Sequence, residues 1–75
     1  MGAAHHALGA LAAAAAAYRQ AVDTWPDFAP AWENLAHTYR EMGDRDRAVA
    51  AYRAFLRLRP EHERRAEYEQ WIGGT

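Results

Sequence analysis

Slid against itself by 34 positions, this 75-residue chain pairs Gly9 with Gly43, Ala14 with Ala48, Tyr18 with Tyr52, Arg19 with Arg53 and Pro26 with Pro60. A period of that length marks a stacked supersecondary unit, because one unit of this size cannot bury its apolar face without a neighbour. The question is what each unit is made of.

Helical spacing dominates and no stretch reads as a strand. "APAWENLAHTYREMG" places Trp32, Leu35, Ala36, Tyr39 and Met42 at helical intervals, with Pro30 suited to a first turn and Gly43 to termination. The pattern predicts a helix from Ala29 to Met42. "DRDRAVAAYRAFLRLRP" opens on Asp44 as an N-cap, carries Ala48, Val49, Tyr52, Phe55 and Leu56 on one stripe, and stops before Pro60. A third helix is expected from Glu61 to Ile72, with Tyr68, Trp71 and Ile72 on one side. Upstream, Ala10 to Thr24 reads as a helix bounded by Trp25 and Pro26. Its six consecutive alanines, Ala12 to Ala17, then become packing material, with Ala14 at the closest approach and Leu11, Tyr18 and Val22 supplying bulk.

Composition narrows the function classes. Hydrophobic residues at 51% and charged residues at 25% describe a chain that folds rather than one that stays disordered. All nine basic residues are arginine, which excludes Schiff-base lysines and a Walker-type phosphate lysine. There is no cysteine, and so no disulfide, thiolate metal site or cysteine nucleophile. A formal charge of -1 gives no bulk attraction to nucleic acid or to an anionic membrane, and no apolar run nears the roughly 20 residues that span a bilayer. With no nucleophile paired to a base and no glycine-rich phosphate loop, the chain reads as a non-catalytic cytoplasmic protein without cofactor or metal.

The unit from Ala29 to His62 resembles the tetratricopeptide repeats. It carries W-x2-L-[GA]-x2-Y as Trp32, Leu35, Ala36 and Tyr39, then Gly43 at the turn, Ala48 as the small residue, Tyr52 as the second aromatic and Pro60 as terminator. Two positions depart from the pattern: Phe55 is bulkier than usual, and Arg45 stands where an apolar residue is common. The resemblance implies an all-α fold of antiparallel helix-turn-helix repeats stacked as a short right-handed superhelix. It divides the chain into a truncated first repeat (1–28), a complete repeat (29–62) and a capping helix (63–75), and it implies protein or peptide partners bound by the first helix of each repeat.

On that helix, Glu33, Asn34, His37, Arg40 and Glu41 lie opposite or beside the apolar seam and are the candidate partner-binding residues. The clamp some family members form on a partner's C-terminal carboxylate is not expected: Asn34 and Arg64 fit two of its positions, but Tyr68 stands where a second cation would be. Glu33, His37 and Glu41 are spaced by four, a line suited to a metal, yet equally ordinary on an exposed helix. Arg53, Arg57, Arg64 and Arg65 are interspersed with acids, which favours internal ion pairs over nucleic-acid binding. Tyr68 and Trp71 are expected to seal the end of the stack.

If Gly9 is a turn like Gly43, only eight residues precede it where the complete unit has fourteen. Two outcomes fit. Ala3 to Thr24 runs as one long helix that exchanges with a second copy, or the chain is an excerpt of a longer superhelix. The expectation is a homodimer or higher homo-oligomer, self-associating through Leu11, Ala14, Tyr18 and Val22; the alternative function is a purely structural oligomerisation element without a peptide ligand.

Overall fold

The computed structural model describes residues 2–73 of the chain, the first seven of them by their backbone alone. Four helices follow one another: α1 (Gly2–Thr24), α2 (Ala29–Met42), α3 (Arg45–Leu58) and α4 (Arg65–Gly73). Among the described residues every regular element is helical, as the periodicity predicts. α2 lies in the middle, packed on α1 and on α3, and α4 leans on α3. The connections are short, so sequential helices run antiparallel.

The α2–α3 turn shows how local chemistry sets this geometry. Gly43 takes the left-handed conformation, φ 81°, which costs a residue without a side chain nothing. The Gly43 N–H donates to the Arg40 carbonyl at 3.1 Å and the Asp44 N–H to the Tyr39 carbonyl at 2.9 Å, a Schellman closure of the last turn. Asp44 then starts the next helix, its carboxylate accepting from the Arg47 N–H at 3.3 Å. The α1–α2 turn is made differently. Trp25 and Phe28 are exposed there, while the Trp32 indole N–H reaches back to the Pro26 carbonyl at 2.8 Å.

The core is built from alternating small and large side chains. Ala29, Ala31, Leu35, Ala36 and Tyr39 of α2 meet Ala48, Ala51, Tyr52 and Phe55 of α3, with Ala15 and Val22 of α1 and Tyr68 of α4 closing the two sides. Ala36, Ala48 and Tyr52 have no exposed surface. Methyl groups at the first two positions let backbones approach, and the ring fills the space that the approach leaves.

Three details differ from the sequence expectations. α1 continues through Gly9, so the glycine that matches the Gly43 turn is an ordinary helical residue; among the described residues only Gly43 has positive φ. Gly2 to Thr24 therefore form one continuous helix. Within α1 the buried alanine is Ala15, while Ala14 is half-covered. Finally, α4 begins at Arg65, four residues after the expected Glu61. The intervening segment is held by local bonds: the His62 N–H to the Arg59 carbonyl, the Arg65 N–H to the His62 carbonyl, and the Arg64 N–H to the His62 imidazole Nδ1 at 3.1 Å. A side chain that captures a backbone N–H in this way competes with helix propagation.

Candidate functional site

Residues on α2 rotate by about 100° per position, which sorts the five candidates into two groups. Trp32, Leu35 and Tyr39 point toward the core and the groove behind it. Asn34 and Glu41, two turns apart, point the opposite way and are exposed. Glu33, His37 and Arg40 lie between these directions, on the flank that faces α4.

That flank is occupied. The Tyr68 hydroxyl of α4 donates a short hydrogen bond to Glu33 Oε2 and lies 3.2 Å from His37 Nε2. On the other side of the imidazole, Nδ1 is 2.8 Å from the Tyr52 hydroxyl of α3. The rings reinforce the arrangement: Tyr52 and Tyr68 stack with centroids 4.6 Å apart and planes 26° from parallel, and His37 meets both edge-on at 5.5 and 5.6 Å. Arg64, just before α4, places its guanidinium 3.9 Å from Glu33. Burial, and next the bond to Glu33, push the Tyr68 phenol up to about 12. Arg64 is held above its ordinary value, first by its hydrogen bond to Tyr68.

Trp71 is gripped by two arginines. Arg40 of α2 and Arg45 of α3 place their guanidinium carbons 4.9 and 4.6 Å from its ring. Arg45 also donates to the carbonyls of Trp71 and Ile72, at 2.9 and 3.1 Å. These are carbonyls of the final turn of α4, where a helix has no internal donors left and where a cation is favoured. The departure at Arg45 from the usual apolar residue therefore has a physical use. Phe55, the bulkier residue, is likewise absorbed, its ring meeting His62 at 5.0 Å and Tyr68 at 5.7 Å.

The structure thus brings Glu33, His37 and Arg40 together with Tyr52, Tyr68, Trp71 and Arg64, and leaves Asn34 and Glu41 apart from them. Among the described residues no three His, Cys, Asp or Glu side chains are gathered to hold a metal ion. The hydroxyl of Tyr52 and the guanidinium of Arg45 are the participants that sequence reasoning missed. Tyr52 sits at a position read only for bulk and Arg45 at one read only as a departure from an apolar residue, and only the i, i+4 spacing of Glu33 and His37 hinted at a polar cluster.

Of the self-association candidates, Val22 is buried against α2, while Leu11, Ala14 and Tyr18 are half-covered. An open groove of about 330 Å³ runs between α1 and α3 over α2, walled by Arg19, Asp23 and Arg47 and floored by Val22, Leu35 and Ala51.

The two core-lining helices, the Gly43 turn between them and the aligned aromatic seam make one complete hairpin from Ala29 onward. Residues 29–62 match the family model described as tetratricopeptide repeat. This segment is similar to a tetratricopeptide repeat. Within the repeat, Trp32, Leu35, Ala36 and Tyr39 form the first-helix seam, and Ala48 and Tyr52 answer them from the second helix. Tetratricopeptide repeats are protein-interaction modules, and no described helix here is long and apolar enough to cross a membrane. No curated protein and no solved structure matches the chain.

Proposed function

We propose that the chain is a non-catalytic interaction module that holds a segment of a partner protein against the outward side of α2, at Asn34 and Glu41. The observation that supports this most is the division of the five candidates. Glu33, His37 and Arg40 are engaged by α4, whereas the side chains of Asn34 and Glu41 remain exposed on a helix whose opposite side is fixed in the core. A rigid helix that offers an amide and a carboxylate two turns apart on one side suits a polar peptide backbone and its side chains.

Chemical-shift mapping with a peptide library tests this reading. Binding peptides should perturb the amides around residues 34–41, and Asn34→Ala with Glu41→Ala should weaken them about tenfold with the fold intact. Perturbations confined to the groove between Arg19 and Arg47 would count against it.

A second reading, self-association, is supported by α1. Its Leu11, Ala14 and Tyr18 side is only half-covered, so a second copy has apolar surface to complete. Solution mass against concentration decides: a mass of one chain at all concentrations excludes it, and a dimer lost in Tyr18→Glu supports it.

A further inference from the structure

We propose that the groove between α1 and α3 receives the α1–α2 turn of a second copy of this chain, with Trp25 entering the groove and Asp27 meeting Arg19. The turn is built as a projection. Trp25 and Phe28 keep 63% and 54% of their surface exposed and are the large hydrophobic residues left so among the described residues. A single exposed apolar side chain is ordinary, but here two rings stand three residues apart on one rigid turn. The Trp25 N–H donates to the Ala21 carbonyl at 2.8 Å, the Phe28 N–H to the Trp25 carbonyl at 3.0 Å, and the Trp32 indole N–H to the Pro26 carbonyl at 2.8 Å. Pro26 also fixes its own φ. A turn held in this way has little backbone freedom left to lose on contact, so more of the ring burial is kept as affinity.

The groove supplies the counterpart. Its volume of about 330 Å³ is room for one ring rather than for a helix. Val22, Leu35 and Ala51 make an apolar floor, and Arg19 and Arg47 bring guanidiniums to the rim, groups that favour aromatic faces. The charges are complementary. Two cations on the rim outnumber the carboxylate of Asp23. Arg47 is paired with Asp44 at 3.4 Å, whereas the exposed Arg19 forms no ion pair among the described residues, not even with Asp23 on the next turn. Asp27, exposed between the two rings of the turn, forms none either. An unpaired acid set among aromatic residues thus matches an unpaired cation above an apolar floor.

The turn lies at the end of its own groove, because Trp32 both lines the groove and bonds Pro26. Each copy therefore gives a turn and receives one across a single twofold axis, and the exchange closes at two chains. Arg19 stands about 100° around α1 from Tyr18. The pairing leaves the Leu11, Ala14 and Tyr18 side unused and needs neither association there nor a peptide on α2.

Sedimentation equilibrium from micromolar to submillimolar concentration, with amide shifts recorded on the same samples, tests the pairing. A mass of two chains is expected at the upper end, with concentration-dependent shifts at residues 19–28 and 47–51 and none at Leu11 or Ala14. Trp25→Ser, at a ring outside the core, should weaken the dimer about tenfold or more. Arg19→Glu alone, or Asp27→Arg alone, should weaken it about fivefold, and the two together in one chain should restore it, since the pair re-forms with its signs exchanged. A mass of one chain at every concentration, masses beyond two chains, or association that survives Trp25→Ser overturns the proposal. So does a charge exchange that fails to restore the dimer. Shifts gathered at Leu11 and Ala14 overturn it as well and favour the other side of α1.

Discussion

α1 and α3 carry the same residues at matched places, yet they are used differently. Ala48, Ala51 and Tyr52 of α3 are wholly or nearly wholly enclosed, whereas their counterparts in α1, Ala14, Ala17 and Tyr18, are half-covered or exposed. The buried residues of α1 are instead Ala15 and Val22, so its packed stripe is rotated by roughly one residue, or about 100°. The reason is the neighbour. α3 is held between α2 and α4, while α1 meets α2 alone, with the side equivalent to the one α3 turns toward the following helix. Repeat residues become core only when both of their neighbours are present.

The largest expected effect breaks the comparison if it fails. Tyr52→Ala empties an enclosed site and should cost about 3–5 kcal/mol, most of the stability of a domain this small; Tyr18→Ala should cost about 1 kcal/mol. Chemical denaturation of both variants checks this, and equal losses would mean that α1 is as well enclosed as α3.

Alkaline pH sharpens the contrast by removing the α4 side of the enclosure. Tyr68 titrates at about 12 in the folded chain against an ordinary value near 10, so its contribution is complete below pH 10 and is lost as pH rises toward 12. The difference between the unmodified chain and Tyr68→Phe should narrow over that window by on the order of 2 kcal/mol. A constant difference in pH-dependent unfolding would mean that the phenol is neither enclosed nor bonded to Glu33.

The smallest effects come from the paired glycines. Gly43→Ala forces a side chain into φ 81° and should cost about 1 kcal/mol. Gly9→Ala places a methyl group on a helix where nothing beyond the adjoining helix backbone comes within 4 Å of it, and should stabilise by about 0.5–1 kcal/mol. Thermal melts of opposite sign separate two residues that the period makes equivalent.

Much of the fold was legible because hairpin chemistry is local. Pro30, Gly43, Asp44 and Pro60 mark helix ends by what their backbones permit, and the seam from Trp32 to Tyr52 follows from spacing alone. The rotation of α1 was not legible, since alanines at adjacent positions carry no signal of which one faces a neighbour. Nor was the α4 flank. Tyr52 and Phe55 announce bulk, but a hydroxyl at hydrogen-bond distance from an imidazole on another helix depends on how two helices are phased, and sequence spacing holds no such information. The late start of α4 turned on His62 bonding a backbone N–H, a choice that only the packing of its ring on Phe55 decides.

Arg45 gives the end of the chain a mechanical character. Its guanidinium holds carbonyls at the tail of α4 from the opening turn of α3, so tension applied beyond Ile72 is borne first by that pair of charge-assisted hydrogen bonds, which act as a latch. α4 then resists being peeled back from its tail and yields only when the latch and the stacked rings beneath it give way together.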